Sequence, residues 1–143
     1  MKPVVMECRI LLCASPQRVA RFVRHAKTVA AQNFPPEVRH SFSVEPIVSP
    51  MLRRQWDGDN GPDTVPAPLT RDVSLAFSGP AEYVTAPQLD SVTRDVLTDL
   101  EPHPGKFTEE ITPWILTLTT ETDDHSRRII AGRHPGISTD TVH

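Results

Sequence analysis

The stretch Ser15 to Gln32, SPQRVARFVRHAKTVAAQ, restricts the fold more than any other part of this chain. At about 100° per residue, Val19, Phe22, Val23, Ala26, Val29 and Ala30 fall on one stripe. That stripe covers roughly a third of the circumference, as a core-facing helix requires. Arg18, Arg21, Arg24, His25 and Lys27 lie opposite, with no acid among them. Ser15 suits the N-cap, where its hydroxyl accepts from a free first-turn N–H. Pro16 suits the first helical position, which needs no N–H. Asn33-Phe34-Pro35-Pro36 ends the pattern, because a proline turns the residue before it away from helix. The spacing predicts a helix over 16–32.

A helix with one apolar stripe needs a surface to cover, and the preceding residues supply one. Along Pro3–Ala14, Met6, Cys8, Ile10 and Leu12 point one way while Glu7 and Arg9 point the other. This alternation predicts a half-buried strand. It turns wholly apolar at Leu11-Leu12-Cys13, which implies cover on both faces at that end.

Further on, Ser41–Val48 reads as a strand with Phe42 and Val44 inward, and Pro46 marks it as an edge or a bulge. From 49 to 70 the periodicity fails. Pro50, Pro62, Pro66 and Pro68, with Asp57-Gly58-Asp59-Asn60-Gly61, predict a long Pro/Gly-rich loop. Arg71–Ser78 is a third strand. A second helix runs from Thr85 or Ala86 to Glu101 on the stripe Leu89, Val92, Val96, Leu97 and Leu100. Its outer face is acidic: Asp90, Asp95, Asp99 and Glu101 stand against Arg94. Ile111–Glu121 is a fourth strand, and Arg127–Arg133 is read as a fifth, returning after a turn at Asp123–Ser126.

The order predicts an α+β domain over 1–133 with a loose tail over 134–143. It fits a ferredoxin-like split βαβ sandwich (β-α-β-β-α-β) with an extra C-terminal hairpin strand and the long loop. Both helices would cover one sheet face. The other, carrying Glu7, Arg9, Leu11, Ser43, Glu45, Ile47, Ser74, Ile115, Thr117 and Thr119, is expected to be open and to meet a second subunit or a ligand.

No apolar run approaches the 18 or more residues of a membrane span. Glu7 and Arg9 interrupt the N-terminal apolar segment, unlike a signal peptide. Cys8 and Cys13 are the two cysteines, and on one strand their side chains point to opposite faces. A reducing cytoplasm is the expected compartment. The net charge of −3 conceals a split. Residues 1–56 hold nine Lys/Arg against three Asp/Glu, and residues 57–143 hold six against fifteen. Such a split suits internal attraction, self-association or a basic surface for an anionic partner.

Cys13 is the candidate nucleophile, because it ends a strand just before a helix N-terminus with Arg18 as an anion clamp. A buried structural cysteine is the favoured reading of Cys13. His103 follows the second helix without a base or nucleophile beside it in sequence. Asp57, Asp59, Asn60 and Asp63 resemble a calcium loop, but Gly61, Pro62 and the missing twelfth-position glutamate depart from it. No metal or cofactor is expected. Arg21, Arg24, Lys27, Arg53, Arg54 and Trp56 are the candidate partner-binding residues, since Arg and Trp concentrate binding energy at interfaces. Nucleic acid is a further possible partner for the basic helix, though the acidic helix would repel it. The leading expectation is a small non-catalytic module that acts through protein contacts and self-associates through the open sheet face.

Overall fold

A computed structural model describes residues 3–62, 66–101, 110–120 and 123–137. Among these residues, four strands and four helices alternate: β1 (Val4–Ala14), α1 (Pro16–Asn33), β2 (Arg39–Pro46), α2 (Pro50–Asn60), β3 (Leu69–Gly79), α3 (Ala86–Leu97), β4 (Trp114–Thr119) and α4 (Asp124–Arg133). A 3₁₀ turn at Thr98–Leu100 extends α3. The fold class is α+β. The sheet is antiparallel with order β2-β3-β1-β4.

The first helix forms as its sequence dictates. Arg18 N–H donates to Ser15 Oγ at 3.3 Å, and Val19, Phe22, Ala26, Val29 and Ala30 are buried. With α3 it covers the face bearing Met6, Cys8, Ile10, Leu12, Val73, Leu75 and Phe77, which forms the main core. The end of β3 packs hard against the 35–38 turn. A Cβ on Gly79 would lie 2.9 Å from the Glu37 carbonyl oxygen, so only glycine fits there.

The second face departs from expectation in three places. The stretch expected as a loop contains α2. Ser49 Oγ accepts from Leu52 N–H at 3.3 Å, Pro50 occupies the first turn, and Leu52 and Trp56 turn inward together. Gly61, at φ 94°, ends the helix. The Asp57-Gly58-Asp59 run read as part of that loop lies inside the helix, stabilised by an Arg53–Asp57 pair at 3.0 Å.

The expected fifth strand is the helix α4. Asp123 caps it by accepting from Ser126 N–H at 2.7 Å, and Arg127 and Ile130, three apart, face the sheet. Ile129-Ile130-Ala131 looked like a strand because a short apolar run carries no period of its own. Nor is the segment after it loose throughout: His134 and Ile137 are buried.

The face expected to be open therefore has two helices over it. Leu52 and Trp56 of α2 pack on Cys13, Leu11 and Ile115 at one end. Ile130 and Ile137 pack on Val5 and Ala76 at the other. Between these two clusters runs a polar strip.

Candidate functional site

The pairing register defines that strip. Thr117, Arg9, Ser74 and Ser43 share one row across the four strands, and Thr119, Glu7, Ala76 and Ser41 share the next. Arg9 donates to both Asp72 carboxylate oxygens, at 3.1 and 2.9 Å from Nε and 2.7 Å from Nη2. Glu7, only 1% exposed, accepts from Arg133 at 2.9 and 2.5 Å and from Ser74 Oγ at 2.6 Å. Burial alone would raise its carboxyl pKa. Hydrogen bonds from His134, Arg133 and Ser74 outweigh that and hold it at about 2.

His134 completes this network. Its Nε2 lies 2.7 Å from Ser74 Oγ and its Nδ1 3.1 Å from Ser41 Oγ. The single Ser74 proton goes to Glu7, so His134 Nε2–H is the donor that faces both Ser74 Oγ and, at 3.3 Å, Glu7 Oε2. Every member has a partner, and Glu7, Ser74 and His134 are all sealed from solvent. The chain of bonds fastens the end of α4 to the sheet.

The junction between β1 and α1, which holds the candidate nucleophile Cys13, is closed by a carboxylate of the same chain. Glu110 accepts from Ser15 N–H at 3.0 Å, from Ser15 Oγ, and from Trp56 Nε1 at 3.1 Å. It thus occupies the place where a helix N-terminus would receive an anion. Asn60 holds the next residue in a reciprocal pair: Ile111 N–H donates to its Oδ1 at 2.8 Å, and its Nδ2 donates to Ile111 O at 2.7 Å. Cys13 is buried beneath α2. Burial pushes its thiol pKa up, the opposite of what a thiolate nucleophile needs. Cys8 is raised to about 11, again chiefly by burial.

The other candidate residues do not come together. Arg18 is buried and donates from Nη2 to Asp99 O at 3.0 Å. Arg21 pairs with Asp99 at 3.3 Å, and His25 bonds Asp95 O at 2.7 Å, so the acidic end of α3 meets part of the basic face of α1. Lys27 lies over the Phe42 ring at 5.7 Å. Arg24 and Arg54 are exposed, while Trp56 is 1% exposed and anchors α2. His103 and Asp63 lie outside the described residues. Among the described residues, no group of three or more His, Cys, Asp or Glu is placed to hold a metal ion. Also among them, no helix is long and apolar enough to cross a membrane.

The two sheet edges, of which the sequence reading marked only β2 through Pro46, differ sharply. Ile47 N–H donates to Thr70 O at 3.2 Å. Antiparallel pairing alternates, so His40, Phe42, Val44 and Pro46 of β2 turn their backbone groups outward. Proline removes one of those donors, and Arg39 and Glu45 charge the strand. In β4, Cys13 N–H donates to Pro113 O at 3.2 Å, which by the same alternation turns Trp114, Leu116 and Leu118 outward. All three keep their donors. The strand, WILTLT, carries no charge and no proline, and Trp114 and Leu118 are 39% and 37% exposed. Natural edges are usually blunted by charge, proline or a bulge; β2 is blunted and β4 is not. Pro46 was the legible part of this signal. The uncharged run of β4 was its counterpart.

No protein-family model matches the chain, and no curated protein matches it. Among solved structures it is similar to one described as an aminohydrolase of methicillin-resistant Staphylococcus aureus, with 8% identity and a TM-score of 0.46. That match covers 83% of this chain and 29% of the other, so the chain spans under a third of that protein. It is also similar to one described as a PII-like signaling protein of Thermus thermophilus, with 13% identity, a TM-score of 0.37, and coverage of 83% and 91%. At these TM-scores neither carries a fold or an activity over to this chain.

Proposed function

We propose that this chain is a small, non-catalytic interaction module on a ferredoxin-like split βαβ sandwich, and that it works through protein contacts at the β4 edge. The strand order β2-β3-β1-β4, with β3 between β1 and β2, supports the architecture. The functional reading rests on one observation: an uncharged, unblunted edge strand with Trp114 and Leu118 exposed beside it. Such an edge offers main-chain donors and acceptors to a further strand, and the side chains next to it supply selectivity. The buried Cys13 and the sealed Glu7–Ser74–His134 network do not favour an enzymatic reading.

The test compares the wild-type chain with Leu118→Lys, which puts a charge on the edge. Mass in solution is followed over a concentration series, and immobilised protein is used to recover partners from extract. The expected result is an association, with itself or another protein, that Leu118→Lys abolishes. A chain that stays monomeric at every concentration and retains no Leu118-dependent partner overturns the reading.

A further inference from the structure

We infer that the partner at this edge is a second copy of the same chain, paired β4 to β4 in antiparallel fashion about a two-fold axis at Leu116. This rests on the reading of β4 as the contact edge and adds the identity and register of the occupant. The register follows from symmetry. A two-fold axis perpendicular to a continuous sheet keeps each side chain on its own face, so some residue must lie opposite itself. Outward backbone groups must also meet outward groups, and in β4 these belong to Trp114, Leu116 and Leu118.

One arrangement within the strand satisfies both conditions for all three residues. Leu116 faces its own copy, and Trp114 faces Leu118 of the second copy, twice over. Three hydrogen-bonded pairs give about six inter-strand bonds, with no outward group of β4 left unpaired between 114 and 118. The two apolar side chains exposed on this strand, Trp114 and Leu118, then cover each other. Aromatic–aliphatic pairs directly opposite one another are favourable cross-strand neighbours.

The chemistry of the strand also selects its partner. A partner chosen by charge would need charges to answer, and β4 has none. A neutral strand whose exposed pair is complementary to its own reversed copy fits the isologous contact of a two-fold dimer. The result is one sheet running through both subunits, joined edge to edge. The blunted β2 edges are left at its two ends, and growth stops there.

Analytical ultracentrifugation of the wild-type chain, Leu118→Lys and Leu118→Pro tests this. Leu118→Pro removes an outward donor and spares the β1 ladder. Mild oxidation of the double variant Trp114→Cys/Leu118→Cys tests the register, because directly opposed residues lie within disulfide reach. Each single variant is its control, since like positions 114 or 118 are then about 13 Å apart by strand rise. The expected results are a concentration-dependent dimer in the wild type and loss of that dimer in both Leu118 variants with the far-ultraviolet circular dichroism unchanged. A covalent dimer should form at least tenfold faster in the double variant than in either single one. A dimer that survives both Leu118 substitutions, or equal cross-linking in single and double variants, overturns the inference. A monomeric wild type that still binds a different protein through Leu118 overturns the second copy while leaving the edge as the contact surface.

Discussion

The two faces of the sheet are held by different physics. Under α1 and α3 lies one continuous apolar cluster spanning β1, β3 and both helices. On the other face, α2 and α4 each rest on a small apolar patch. What joins those patches is charge and hydrogen bonding, with Glu7, Arg9, Asp72, Ser74, Arg133 and His134 filling the space between. A continuous apolar core unfolds as a unit, whereas small patches on short helices can open separately. The first face therefore sets global stability, and the second sets the local opening of α2 and α4.

Substitutions should separate these roles, the largest effect coming from the main core. Phe22, wholly buried in α1, should cost about 3–5 kcal/mol as Phe22→Ala. Fluorescence, circular dichroism and hydrogen exchange throughout the chain should all report the same loss. A loss confined to α1 would mean that the first face is not one cooperative unit.

Glu7→Gln comes next. It leaves the shape intact but removes the charge that Arg133 and Ser74 answer, at a cost of roughly 2–3 kcal/mol. Hydrogen exchange should accelerate in α4 well before it does in α1. Acid should act on the same group. The folded pKa of about 2 lies below the ordinary 4.5, so the stabilisation is fully present above about 4.5 and fades as pH falls towards 2. The amount at stake is roughly 3 kcal/mol. A wild-type acid transition in α4 that is absent in Glu7→Gln would confirm the assignment; identical acid profiles would break it.

The smallest effect belongs to the α2 cap. Ser49→Ala should cost about 1 kcal/mol, read as faster exchange in 50–60 with little change in the midpoint of global unfolding. An equal effect on α1 would show that the second face is as cooperative as the first.

Much of the first face was legible in the sequence. Val19, Phe22, Ala26 and Val29 repeat at helical spacing, and Met6, Cys8, Ile10 and Leu12 alternate. Both patterns run long enough to declare a period. The second face was harder, because α2 spans 11 residues and α4 spans 10, and each buries only two side chains within the helix. One signal for α2 was nevertheless present. Ser49-Pro50 repeats the cap and proline of Ser15-Pro16, and Thr85 with Pro87 opens α3 in much the same way. The aspartates and glycines that followed suggested a loop and hid that start.

By itself, the sequence determined the strand–helix succession of β1, α1, β2, β3, α3 and β4, and the acidic and basic helices, because caps and periodicity act between residues a few positions apart. Only the tertiary structure decided what lies over Cys13, Trp56, Glu7 and His134, and which strand edge was left unblunted. Glu110 reaches Ser15 across 95 positions, and Arg133 reaches Glu7 across 126. Whether a thiol is accessible or a carboxylate is answered depends on such distant neighbours, and no local pattern encodes them.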